Sequence, residues 1–146
     1  MSPAPLQAFR FDHVNLHAAP GSALQRLFGE VMGLQSGHRP PFPFPGQWLY
    51  GDADRALLHV VQAPSVQGEA IRLGHIAFRT DEAAETVIAR LRDAGLAHEV
   101  AVVPEDSDVQ IFVPLPGGLV VELDVPADTA HPESIYDSKL ARSTSA

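Results

Sequence analysis

Two stretches of this chain are written to one pattern. Phe11-Asp12-His13-Val14-Asn15-Leu16 and Leu73-Gly74-His75-Ile76-Ala77-Phe78 each alternate with the two-residue period of a β-strand, carry a histidine, and lead into an apolar stripe at helical spacing. His13 and His75 lie 62 positions apart. His59 and Glu122, each on the last strand-like run of its half, lie 63 apart. Agreement within one residue at both ends of the unit is the mark of internal duplication. It restricts the chain to two copies of one strand–helix–three-strand unit that bury their apolar faces together.

In the first copy, Phe9 to Leu16 is the opening strand, with Val14 and Leu16 on one face and His13, Asn15 and His17 on the other. Pro20-Gly21 turns the chain, and Ser22 can cap a helix from Ala23 to Met32 with Leu24, Leu27, Phe28, Val31 and Met32 as its stripe. Gly33 suits a left-handed stop. The four prolines between His38 and Gly46 exclude a central strand and leave an edge segment or a shaped loop. Gln47–Tyr50 and Arg55–Gln62 then form a hairpin about Gly51-Asp52-Ala53-Asp54.

The second copy repeats the order. Its first strand is followed by a helix from Asp81 to Ala94, whose stripe is Ala84, Val87, Ile88 and Leu91 and whose stop is Gly95. Strands follow at Ala97–Val103, Asp108–Val113 and Leu119–Val125. The expected organisation is a leader over 1–8, a first module over 9–62, a linker over 63–72, a second module over 73–126 and a polar tail over 127–146.

With no cysteine there is no disulfide framework, thiolate metal site or cysteine nucleophile, so a metal must be held by His, Asp or Glu. A net charge of −8 argues against a nucleic-acid partner, which needs clustered Lys and Arg. No apolar run approaches a membrane span. A cytoplasmic protein is expected.

The repeat places four metal-capable side chains at equivalent positions: His13, His59, His75 and Glu122. Two units joined about a pseudo-twofold axis bring their first and last strands around one trough. Two histidines and a carboxylate on one face of an open site is a pattern associated with non-haem Fe(II) oxygenases. The plainer reading makes Glu122 an interior carboxylate paired with Arg79. His17, His38, His98 and His131 fall outside the register and read as surface, loop or tail residues.

These motifs, with Ala56-Leu57-Leu58-His59-Val60 and Val120-Val121-Glu122-Leu123, resemble the vicinal oxygen chelate superfamily over about Phe9 to Val125. That superfamily includes glyoxalase I, fosfomycin and bleomycin resistance proteins, methylmalonyl-CoA epimerase and extradiol dioxygenases. The resemblance implies an α+β fold of paired βαβββ modules forming a cupped mixed sheet. It also implies a divalent metal ion on the first, fifth and eighth strands, here His13, His75 and Glu122. His59 stands on the fourth strand, where glyoxalase I carries a carboxylate or amide ligand and extradiol dioxygenases a histidine acid/base. Those dioxygenases also carry a seventh-strand tyrosine, where this chain has Gln110 and Phe112; Tyr50 is the candidate to replace it.

The expectation is therefore an Fe(II) extradiol-dioxygenase-like enzyme in which His59 and Tyr50 are catalytic. Arg39, Phe42, Phe44, Trp48, Gln110 and Phe112 would bind a small oxygen-chelating substrate. A glyoxalase-like isomerase or thiol transferase using Ni, Zn or Mn is the alternative, with His59 as a fourth ligand. A non-catalytic binding protein of the bleomycin-resistance kind is the third reading. A homodimer is expected.

Overall fold

The computed structural model describes residues 9–19, 23–62, 70–105 and 108–126. The first half supplies β1 (Arg10–Ala18), β2 (Gln35–Gly37), β3 (Gly46–Tyr50) and β4 (Leu58–Gln62). The second supplies β5 (Ile71–Arg79), β6 (Glu99–Val102), β7 (Val109–Pro114) and β8 (Val120–Val125). All eight form one mixed sheet in the order β2-β3-β4-β1-β5-β8-β7-β6. Numbered within its own half, each set of strands is met in the reverse order of the other, so the duplication in the sequence becomes a twofold in the sheet. β1 and β5 pair antiparallel at the centre, and each pairs parallel with the last strand of its own half.

Burial covers both faces of these strands: on β1 the polar His13 and Asn15 are buried and the apolar Val14 and Leu16 beside them partly buried. The outward residues Val109, Ile111, Val113 and Val125 pack under α1 (Ala84–Asp93), whose Ala84, Val87, Ile88 and Leu91 are buried as the spacing predicts. A second core gathers Ala18, Leu24, Leu49, Leu58 and Val60 in the other half. Burying one such aliphatic side chain contributes about 1.5–3 kcal/mol. The apolar cores use one face of the sheet, and the opposite face is left for polar groups.

The structure departs from the sequence reading in three places. The first helix, Gln25–Val31, winds as a π-helix, with Met32 N–H donating to the Leu27 carbonyl five residues back. Wider winding takes residues three and four apart off a common face, so Leu24 is buried while Leu27, Val31 and Met32 are exposed. A short strand, β2, precedes the proline segment and pairs with β3. The linker expected to end at Arg72 gives way earlier, because Ile71 and Arg72 already pair with β1. Gly33 and Gly95 do adopt positive φ after their helices. The leader, Ser22, most of the linker and the C-terminal tail lie outside the described residues.

The two central strands each carry an irregularity. Phe11 pairs with Phe78 and His13 with Ala77, so Asp12 is one residue too many on β1. Asn15 pairs with His75 and Leu16 with Leu73, so Gly74 is the extra residue on β5. Each bulge therefore immediately precedes the histidine of its repeat. A bulge re-aims the side chains beside it. At Gly74 a Cβ would stand 2.0 Å from Asn15 Oδ1 and 2.6 Å from His17 Cδ2, so glycine there leaves room for the β1 side chains.

Candidate metal centre

The register carries one row of side chains across the polar face. Trp48 pairs with His59, His59 with Asn15, and Asn15 with His75. One step along, His13 pairs with Ala77, Ala77 with Glu122, and Glu122 with Phe112. His13, His75 and Glu122 converge from three adjacent strands, with donor atoms within 4.8 Å of one another. His13 Nε2 lies 3.3 Å from Glu122 Oε2, and His75 Nε2 lies 3.1 Å from Glu122 Oε1.

His13 and Glu122 are each 1% exposed. His13 Nε2, His75 Nε2 and Glu122 Oε2 are all buried without a hydrogen-bond partner of acceptable geometry. Leaving one such group unsatisfied costs about 1–3 kcal/mol, so three facing each other are a costly arrangement for a structural cluster. A divalent cation would satisfy all three at once, and imidazole nitrogen with carboxylate oxygen is a donor set that Fe, Mn, Ni and Zn accept. The residues present fit a metal ion. The plainer pairing of Glu122 with Arg79 is not formed: Arg79 reaches Asp12, Asp108 and Asp124 instead.

Burial disfavours charge throughout the cluster, which leaves His75 ligand-ready and holds the proton on Glu122. Burial, then the neighbouring His13, lowers His75 to about 4, so its imidazole is neutral at pH 7. Burial and His13 also push His59 well below the ordinary histidine value. Burial raises Glu122 to about 7, despite a hydrogen bond with Asp124 that opposes the rise. Asp124 is raised well above the usual range by burial and by the Glu122 charge. Asp12 is different. Burial would raise it, but the hydrogen bond with His13 and the Arg55 guanidinium outweigh burial and hold it far below the usual carboxylate range.

His59 does not join the three converging residues. Its ring lies flat between two others, 3.5 Å from the His13 centroid at 20° and 3.8 Å from the Trp48 centroid at 8°. A cavity of about 760 Å³ opens beside this stack. His59, His75 and Glu122 line it, and so do Arg39, Phe42, Phe44, Trp48, Gln110 and Phe112. The proline segment supplies Phe42 and Phe44, which stack at 5.3 Å with the Arg39 guanidinium over both rings. Tyr50 is not brought to this cavity. It lines a smaller one of about 180 Å³ behind the stack, where its hydroxyl donates to the His38 carbonyl.

Three residues of this site escaped the sequence reading. Asp12 belongs to the opposite face by strict alternation, and only the bulge turns it towards His13. Asn15 was placed on the right face but given no role. It is 5% exposed and lines the cavity, while its Oδ1 is buried beside Gly74 with no hydrogen-bond partner. His17, read as peripheral, also lines the cavity, with Arg72 3.3 Å from its Nδ1.

No family model matches the chain, and no curated protein does. Solved structures do match. The Mn(II)-bound glyoxalase of Novosphingobium aromaticivorans superposes with a TM-score of 0.61 at 19% identity, over 84% of this chain and 42% of that one. The 2,3-dioxygenase LapB of Pseudomonas sp. KL28 gives 0.64 at 17% identity, over 82% and 41%. Methylmalonyl-CoA epimerase of Mycobacterium tuberculosis gives 0.59 at 16% identity, over 89% and 95%. The chain thus spans about two fifths of the glyoxalase and the dioxygenase and nearly all of the epimerase. Its fold is that of these glyoxalase, dioxygenase and epimerase structures, the cupped mixed sheet of paired modules that the repeat implied.

Proposed function

We propose that this chain is a divalent-metal enzyme acting on a small oxygen-chelating substrate, most simply an Fe(II)-dependent extradiol-type oxygenase of a catechol-like compound. The observation that carries the reading is the meeting of three buried, unsatisfied donor atoms of His13, His75 and Glu122 at the edge of an aromatic-walled cavity. Those three residues would hold the metal. When bound, the ion would act as a Lewis acid that lowers the pKa of a coordinated substrate hydroxyl and gives dioxygen a place to react.

The rest belongs to the chain. His59 is a neutral imidazole on the cavity wall whose cation burial and His13 disfavour, so it can accept a hydrogen bond from a substrate hydroxyl and orient that proton. Its rigid place between Trp48 and His13 fixes that orientation. Trp48, Phe42, Phe44 and Phe112 offer flat apolar surface to a planar ring and exclude water from it. Tyr50 has no place in this scheme, because it lines the smaller cavity and its hydroxyl donates to the His38 carbonyl.

Gln110 and Phe112 on β7 favour a second reading. They leave that strand without the tyrosine that the oxygenase scheme uses, while the same metal cluster suits enediolate stabilisation in a glyoxalase-type isomerisation with Ni, Zn or Mn. Metal content of protein purified without chelators, followed by oxygen uptake with Fe(II) and a catechol panel, separates the two. Bound iron with oxygen consumed supports the oxygenase. Nickel, zinc or manganese with no oxygen use supports the isomerase, and no metal after careful reconstitution refutes both.

A further inference from the structure

The two halves agree in having a bulge immediately before the histidine and differ in what the bulge residue is: Asp12 in the first, Gly74 in the second. Glycine leaves space. Aspartate supplies a carboxylate, and the β1 bulge turns it onto the same face as its neighbour. We propose that Asp12 is a positioning residue that fixes the tautomer and orientation of His13, an asymmetry that makes His13 the anchored ligand of the cluster. The inference rests on the metal-enzyme reading above.

The division of Asp12's two oxygens carries the argument. Oδ1 accepts from Arg55 Nε at 2.8 Å and from Arg79 Nε at 3.2 Å. Oδ2 lies 2.7 Å from His13 Nδ1. A carboxylate engaged by two guanidinium groups is ionised and can only accept, so His13 must donate through Nδ1–H. In the neutral ring Nε2 is then the lone pair, and Nε2 is the atom that faces Glu122 at 3.3 Å. Asp124 is the competing candidate, but its nearest oxygen lies 3.9 Å from Nδ1, beyond a hydrogen bond.

The clamp is itself anchored. Arg55 comes from the bend between β3 and β4, and Arg79 is held from its other side by Asp108 at 3.3 Å. Asp12 is thereby held by one arginine from each half of the chain, and its side chain is 5% exposed. Were Asp12 no more than an ion-pair partner for the two arginines, Oδ2 would have no reason to lie against His13. The stack of His59 on the His13 face then fixes the ring's tilt, while Asp12 fixes its rotation.

The test uses Zn(II) as probe, because it is diamagnetic. Ring nitrogen NMR of the metal-free wild type reports the His13 tautomer, and competition against a chromogenic chelator reports the Zn(II) Kd. The wild type is expected to show His13 protonated at Nδ1. Asp12→Ala is expected to lose that signature and bind Zn(II) about 10–100-fold more weakly, the usual effect of removing a group that orients a ligating histidine. Asp12→Asn keeps the shape and an acceptor oxygen, and should fall between. A merely structural role would lower Tm without moving the tautomer. A wild-type His13 protonated at Nε2 overturns the inference without any variant, and so does a Kd in Asp12→Ala within twofold of wild type. If the wild type binds no Zn(II), or if His75→Ala binds as well as wild type, the metal-centre reading falls and takes this one with it. Loss of affinity in His75→Ala but not in Asp12→Ala removes only the role of Asp12.

Discussion

Replacing Glu122 by glutamine should reverse the stability order of wild type and variant according to whether a metal is present. In the metal-free wild type this fully buried carboxyl titrates at about 7 instead of 4.5. A carboxyl whose folded pKa is raised holds its proton more tightly when folded. Its contribution to stability is full in acid, declines as the pH rises from 4.5 to about 7, and stays lost above that. The gap corresponds to about 3 kcal/mol at about 1.4 kcal/mol per pH unit. E122Q carries no charge, keeps the shape, and places an amide donor within reach of His13 Nε2 or His75 Nε2. In chelator at pH 8 the variant should therefore be about 3 kcal/mol more stable than wild type, or about 10 °C higher in Tm. At pH 4.5 the two should lie within about 1 kcal/mol, since the folded carboxyl is then protonated and the unfolded one about half so. A saturating metal at about 1,000 times its Kd should then add about 4 kcal/mol to wild type and almost nothing to the variant. Thermal unfolding across pH 4.5–9, with chelator and with Zn(II), measures every term. A variant less stable than wild type at pH 8 in chelator would refute the buried-charge argument.

The same carboxyl sets the pH dependence of metal binding: Zn(II) affinity should fall about tenfold for each pH unit below about 7, with His75 adding nothing above about pH 5 because its own value is about 4. Isothermal titration at pH 5.5, 6.5 and 8 checks the slope, and a flat profile would contradict it. His59→Phe should retain the metal within about threefold while turnover falls about 10²–10⁴-fold, read as kcat on whichever substrate the oxygen-uptake panel finds; metal loss of the same size would make His59 a ligand instead. Gly74→Ala should cost about 1–3 kcal/mol through the clash with Asn15 Oδ1. Asn15→Ala in the same chain should recover much of that cost in a double-mutant cycle by denaturant unfolding, and strict additivity would show that the close approach is unimportant.

How far the sequence reaches is clearest at particular residues. His13, His75 and Glu122 were marked by register, because each repeat must put equivalent strands at equivalent places in a shared sheet. The wall residues Trp48 and Phe112 followed from alternation on short strands, a property local to each strand. Tyr50 shows the limit of the same logic. Alternation put it on the face of Trp48, but the proline segment folds over the sheet and gives its hydroxyl to His38, away from the large cavity. The first helix shows another limit, since a stripe at α-helical spacing does not announce that the backbone will wind more widely.

The amino-acid order by itself determined the duplicated architecture and the identity of the converging donors, because hydropathy period and repeat spacing act through contacts that each module makes in the same way. Only the tertiary structure decided how those donors are aimed. That Asp12 and Gly74 are the extra residues depends on pairing across β1 and β5, and that register is a joint property of two strands 62 positions apart, written in neither alone.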